Sequence, residues 1–174
     1  MVDQKEPGES AANELCKSCG LCCTGHLFAW TKLRSAELDA AEGLGLKVVR
    51  SVPRQRGFDQ PCPLWSGKCT VYDSPHYPHF CRTYKCKLLK KLLDGTTSLP
   101  EAVEVIEKAK ERIREVEVLL PDSSTPSFRE RLVAHLEGPA TGQDSESYRK
   151  ALALLSVYEE VFGVDDLIDV PPGG

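Results

Sequence analysis

The chain has 174 residues and a mass of 19.2 kDa, the length of one domain with at most a small appendage. At 41% hydrophobic and 28% charged residues it can bury a core and is not disordered throughout. Its net charge of −4 gives no sign of a whole-protein nucleic-acid binder, and no apolar run of about 18 residues is present to span a bilayer.

The first stretch, Met1 to Glu14, is acidic and polar without an apolar segment, so it reads as a disordered tail (residues 1–14) and not as a secretory signal. A cytoplasmic location is the expectation. Ser35 to Glu42 reads as a short capped helix ending at Gly43, and Lys47-Val48-Val49-Arg50 as a short strand. Leu64 to Tyr72 reads as a hairpin turning at Ser66-Gly67. Residues 81–93 read as one helix with Leu88, Leu89, Leu92 and Leu93 facing inward.

After the turn-rich seam Asp94-Gly95-Thr96-Thr97-Ser98 the pattern becomes helical. From Pro100 to Leu120, Ala102, Val105, Ile106, Ala109, Ile113, Val116, Leu119 and Leu120 keep the three-four spacing of one buried stripe. Ser98 can cap that helix, Glu101 and Glu104 suit the positive end of its dipole, and Pro121 stops it. A shorter helix starts at Thr125-Pro126 and ends before Gly138. A third runs from about Ser145 to Phe162 with Tyr148, Leu152, Leu155, Tyr158 and Phe162 on its stripe and Gly163 as its stop. Residues 169–174 read as a second disordered tail.

The two halves differ in charge. Residues 15–94 hold 13 Lys and Arg against 6 Asp and Glu, whereas residues 95–174 hold 8 against 16. All eight cysteines lie in the first half, between Cys16 and Cys86. The expected division is therefore a metal-binding cysteine-cluster domain over 15–94 and a helical region over 95–168 packed on it. The first half has little apolar material for a core, so something else must hold it.

The cysteines are Cys16, Cys19, Cys22, Cys23, Cys62, Cys69, Cys81 and Cys86. Four disulfides are arithmetically open, but cytoplasmic thiols are kept reduced and adjacent cysteines such as Cys22 and Cys23 bridge each other only under strain. Four cysteines within eight residues is not a packing pattern either. Metal ligation remains. Eight thiolates can make two four-thiolate zinc sites. The run Cys16-x2-Cys19-x2-Cys22, with Gly20 allowing a tight turn, also matches the loop by which ferredoxins hold three corners of a [4Fe–4S] cluster. The fourth ferredoxin ligand is remote and followed by proline, as Cys62 is by Pro63, so the spacing favours an iron–sulfur cluster on Cys16, Cys19, Cys22 and Cys62 while zinc stays open. In an extended segment Cys22 and Cys23 would point to opposite faces, and Cys23 would join Cys69, Cys81 and Cys86 in a second centre.

Arg54, Arg56, Arg82, Lys85 and Lys87 can offset thiolate charge through hydrogen bonds to sulfur, Arg82 foremost. An RNA-binding reading of the same charge lacks clustered aromatics. His26, His76 and His79 lie near cysteines in the chain, but eight thiols already suffice as donors, and His135 sits on a C-terminal helix.

The assembled pattern is Cys16-x2-Cys19-Gly20-x-Cys22-Cys23, Cys62-Pro63-x-Trp65, Cys69-x2-Tyr72 and Pro78-x2-Cys81-Arg82-x3-Cys86. It resembles the YkgJ-type cysteine-cluster family of bacteria, a zinc- or iron-chelating domain, over roughly residues 15–94. One departure is Tyr77-Pro78, where that family usually has Arg-Pro. The resemblance implies that all eight cysteines are ligands, with Pro63, Pro78 and Tyr72 as scaffolding. It also implies kinship with the larger flagellin lysine-N-methylases, which are thought to carry an iron–sulfur centre. The only Gly-x-Gly here, Gly43-Leu44-Gly45, follows a helix and so does not read as a nucleotide loop.

The sequence thus predicts a helix-rich α+β protein whose cysteine cluster chelates iron, as a [4Fe–4S] cluster, or zinc. Whether it is an enzyme stays open. A redox or methyl-transfer enzyme with Cys23 left reactive is the alternative to a structural or partner-binding module, and metal storage or delivery is a third reading. No membrane contact is expected, and a protein partner is left open.

Overall fold

The structure, a computed structural model, describes residues 7–51, 55–125, 127–138 and 145–164. Its first helix, α1 (Pro7–Cys19), overturns the expectation of a tail for the residues from Pro7 onward. Proline suits a first turn whose N–H groups have no partner, and Ala11 and Ala12 favour helix. Ala12 and Leu15 are buried, and Cys16 and Cys19 continue the same face. The apolar stripe is short and built from small residues, which is why composition alone read the segment as disordered.

Three short strands follow: β1 (Trp30–Lys32), β2 (Val48–Val49) and β3 (Gly57–Asp59). They form an antiparallel sheet in the order β1-β3-β2, with Phe58 opposite both Thr31 and Val48. Gly57 is required there, because a Cβ would stand 2.1 Å from the Thr31 carbonyl oxygen and 2.6 Å from the Trp30 ring. Between β1 and β2 a 3-10 turn (Ser35–Glu37) leads into α2 (Leu38–Gly43). Leu33, Leu38, Ala41, Leu46 and Phe58 form a small core between sheet and helix.

The expected hairpin at 64–72 is reduced to a tight turn. Only Trp65 and Cys69 bridge, Gly67 takes φ +69°, and Thr70 N–H donates to Leu64 O at 3.2 Å. The helix expected over 81–93 is two helices, α3 (His79–Thr83) and α4 (Lys87–Leu93). Tyr84 is extended between them, and Cys86 is the N-cap of α4, its Sγ accepting from Leu89 N at 3.4 Å.

The C-terminal helices are α5 (Leu99–Glu117), α6 (Phe128–Glu137) and α7 (Glu146–Val157), the last continued by a π-helical turn (Tyr158–Phe162). Ser98 and Glu101 close a capping box on α5: Ser98 N–H donates to Glu101 Oε2 at 2.8 Å and Glu101 N–H to Ser98 Oγ at 3.4 Å. Ser127, not Thr125, caps α6, and Pro126 lies outside the described residues. Gly163 ends the last helix at φ +70°. Leu152, expected on the buried stripe, is 44% exposed, and the inward positions are Ala151, Leu154, Tyr158 and Phe162.

These parts make a helix-rich α+β fold. Its main core draws Ala12 and Leu15 from α1, Leu88 and Leu92 from α4, Ile106 and Ile113 from α5, Leu132 from α6 and Leu154 from α7. The seam at residues 94–98 is therefore a turn on the surface of one core, which crosses it. Residues 165–174, and with them the expected second tail, lie outside the described residues. Among the described residues no helix is long and apolar enough to cross a membrane.

Both tryptophans, Trp30 and Trp65, lie in the cysteine half, whereas much of the helix lies in α5 to α7. Urea unfolding of the purified protein should accordingly give one midpoint by tryptophan emission and by far-ultraviolet circular dichroism; two midpoints would show independent halves. Leu132→Ala, at a fully buried position, should lower stability by about 2–5 kcal/mol in both signals together.

Candidate metal centre

Cys16 and Cys19 occupy the last turn of α1, three residues apart and so on one face. Gly20, at φ +76°, then reverses the chain into a compact loop, with Thr24 N–H donating to Gly20 O at 2.8 Å and Leu27 N–H to Leu21 O at 3.1 Å. Cys22 and Cys23 sit in this turn and not in the extended segment that the alternation argument assumed. Glycine at 20 serves a second purpose, since a Cβ would stand 2.2 Å from Trp65 Cζ2. The indole lies directly on the backbone of the cysteine loop.

Backbone hydrogen bonds bring two of the remote cysteines to that loop and to the end of α1. Cys62 N–H donates to Cys23 O at 2.7 Å, and Cys69 N–H donates to Lys17 O at 3.1 Å. Cys81 lies on α3, its carbonyl accepting from the Tyr77 hydroxyl at 3.4 Å, and Cys86 begins α4. All the cysteines except Cys62 line one largely apolar cavity of about 80 Å³, closed on one side by Phe28, Phe80 and Tyr84. Phe80 and Tyr84 stack at 5.4 Å, and Phe28 meets Tyr84 edge-on at 5.1 Å.

Burial dominates the acidity of these thiols. It pushes Cys16 and Cys81 up to about 12 and Cys19 to about 11, and it raises Cys22, Cys23, Cys62 and Cys86 as well. Neighbouring thiols add to the effect. Cys22 is raised by Cys19, Cys23, Cys86 and Cys16, whereas Cys23 is raised by Cys69, Cys62, Cys81 and Cys16. Cys81 is raised by Cys62, Cys69 and Cys16. Packing divides the set the same way: Cys16, Cys19, Cys22 and Cys86 lie against the main core, Cys62 and Cys81 against the small one.

Two groups result, Cys16, Cys19, Cys22 and Cys86 in one and Cys23, Cys62, Cys69 and Cys81 in the other. The spacing argument had exchanged Cys62 and Cys86. The reason is tertiary: α4 packs along α1 and brings its N-cap Cys86 to Cys16 and Cys19, while Cys62 leaves β3 hydrogen-bonded to Cys23. Cys16 faces members of both groups. Among the described residues no three Cys, His, Asp or Glu side chains stand close enough to hold one ion as the chain lies. The donor set nonetheless suits a soft or borderline metal, being thiols alone, buried in apolar surroundings where a cation in place of their protons would relieve the mutual repulsion.

The surrounding residues divide differently from expectation. Arg82 lies over the Tyr77 ring at 5.4 Å and donates to Ser74 O at 3.2 Å. Arg56 donates to Ser35 Oγ, Lys85 and Lys87 are exposed, and Arg54 lies outside the described residues. The cations that act on thiols are Lys110, which lowers Cys19, and Lys90, which lowers Cys86. Lys90 is one helical turn past Cys86, a signal the sequence did carry; Lys110 reaches the site only through the packing of α5 on α1. Tyr72 donates to Asn13 Oδ1 at 2.7 Å and packs on Tyr77, Pro78 is buried at the start of α3, and Pro63 is exposed. His26 bonds Thr24 Oγ1 through Nδ1 at 2.6 Å, His79 contacts Arg34, His76 is exposed, and His135 packs near Tyr148.

Two outcomes follow from this geometry. Gly20→Ala forces both a positive φ and a clash with an aromatic ring, and should cost about 1–3 kcal/mol with a shift in tryptophan emission. Thiols held well above neutral pH are protonated at pH 7, so zinc added to metal-free protein in weak buffer should release close to one proton per ligating cysteine. Apparent affinity then rises with pH, because each step upward removes protons that compete with the metal.

No curated protein and no solved structure matches this chain. The family CxxCxxCC, described as "Putative zinc- or iron-chelating domain", matches residues 15–118, running past the seam and through α5. That match covers more than half of the chain and places the whole thiol arrangement within it: this protein belongs to the CxxCxxCC family of zinc- or iron-chelating domains.

Proposed function

We propose that this protein binds zinc or iron through all eight cysteines, as two mononuclear four-thiolate centres. Cys16, Cys19, Cys22 and Cys86 form one, and Cys23, Cys62, Cys69 and Cys81 the other. The observation that carries the reading is how the thiols pack: Cys16, Cys19, Cys22 and Cys86 lie against the main core, Cys62 and Cys81 against the small one, and the Cys62 backbone is hydrogen-bonded to Cys23. The case for a [4Fe–4S] cluster rested on a loop holding three thiols and on the Cys62-Pro63 step beside them. Here two of the three lie on a helix and Cys62 belongs with Cys23. A structural role for the metal fits the mutually raised thiols better than a reactive Cys23, whose acidity is suppressed by burial and by four neighbouring thiols. Arg82 supports the site through Tyr77 and the 74–81 segment, by packing on the ring that touches Cys81.

Iron, zinc and acid-labile sulfide, measured per chain on protein purified without oxygen, test this. About two metal ions and no sulfide are expected, with Cys22→Ser and Cys23→Ser each lowering the count to about one. About four irons with four sulfides would replace the two-centre reading by a cluster. Protein that neither retains nor takes up metal would overturn it.

A further inference from the structure

A second groove, of about 320 Å³, also reaches Cys19. Its walls come from three parts of the chain: the α5 face bearing Lys110, Ile113, Arg114 and Glu117, the loop carrying Thr24 and His26, and the Trp65 turn. We infer that this groove is a binding site for a small aromatic carboxylate, an assignment that goes beyond the metal reading and does not depend on it.

Two of the three charged side chains that line the groove are already engaged within the protein. Glu117 is held by Arg131 at 2.7 Å, so its charge is answered within the protein. Lys110, half-buried, reaches Glu107 at 3.0 Å on the solvent side. Arg114 has no side-chain partner among the described residues and stands one helical turn from Lys110 on the groove wall. Its planar fork matches a carboxylate through two parallel hydrogen bonds.

The hydroxyl of Thr24 donates to Gly20 O at 2.8 Å, so its lone pair accepts from His26 Nδ1–H at 2.6 Å. Nε2 is then the imidazole's acceptor, suited to a phenolic O–H or similar donor on the ligand. Trp65, Leu21 and Ile113 supply apolar wall for a flat ring, and the groove's size sits at the low end for small-molecule sites. Lys110 and Arg114, the Trp65, Leu21 and Ile113 side chains and the His26 imidazole line one groove, a set of groups that suits a ring carrying a carboxylate. Because Cys19 borders both cavities, the occupant would share a wall with the first thiol group.

The probe is 4-hydroxybenzoate, titrated calorimetrically into the protein as purified. Saturable one-to-one binding is expected, weakened about tenfold or more by Arg114→Gln, and left unchanged by Lys85→Gln, which removes an exposed charge elsewhere. Benzoate, lacking the phenolic hydroxyl, should bind more weakly than 4-hydroxybenzoate, and cyclohexanol, lacking the carboxylate, should not bind. Non-saturable heat, or equal affinity in the Arg114→Gln protein with its fold intact by circular dichroism, would overturn the assignment. Metal content is measured on the same samples, so failure here is separable from failure of the two-centre reading.

Discussion

Seven thiols line one small, largely apolar cavity with the eighth, Cys62, tied to the same loop, and the rest of this structure is arranged around that fact. As thiols they are weak hydrogen-bonding partners, and as thiolates they repel one another in surroundings of low polarity. Burial and mutual charge both resist ionisation, which is why their acidity is suppressed together. A cation resolves the conflict by taking the place of the protons. The small core of Leu33, Leu38, Ala41, Leu46 and Phe58 is the only buried apolar cluster described for the sheet region, so ligation would supply much of what orders the irregular chain between residues 60 and 78.

The two thiol groups stand on different foundations. Cys16, Cys19 and Cys86 are carried by helices that pack directly on α5, so the C-terminal half sets their positions even though it contributes no cysteine. Cys62, Cys69 and Cys81 come from a strand exit, a tight turn and a one-and-a-half-turn helix, the Cys62 backbone hydrogen-bonded to Cys23 in the first loop and the Cys69 backbone to Lys17 on α1. Trp65 lying on Gly20 joins the two foundations at one contact. A disturbance of the main core should therefore reach the first group before the second.

Much of the helical half was legible because α5 is long, strongly periodic and capped by a Ser-x-x-Glu box whose two partners do hydrogen-bond each other. Patterns failed where tertiary contacts decide. Among the described side chains the helix over Pro7–Cys19 turns Ala12 and Leu15 inward with Cys16 and Cys19 on the same face, a weak apolar signal, and three-residue strands are too short to show alternation. The break between α3 and α4 was hidden because Leu88, Leu89 and Leu92 continue an apparently helical stripe; what interrupts it is Cys86 acting as a cap. The cysteines themselves were legible as a metal-ligating set by type and number. Their partition was not, since it depends on which helix packs against which, and the groove at Cys19 was invisible because its walls come from three separate stretches of the chain, 18–26, 65–67 and 110–117.

The central claim is that sulfur alone surrounds each metal. X-ray absorption at the zinc and iron edges of the purified protein tests it most directly. The account predicts a first shell of four sulfurs at about 2.3 Å, with no nitrogen or oxygen component and no metal–metal vector. A shell containing nitrogen or oxygen, as from His26 or His79, would contradict it, and a short iron–iron distance would contradict the division into two separate centres.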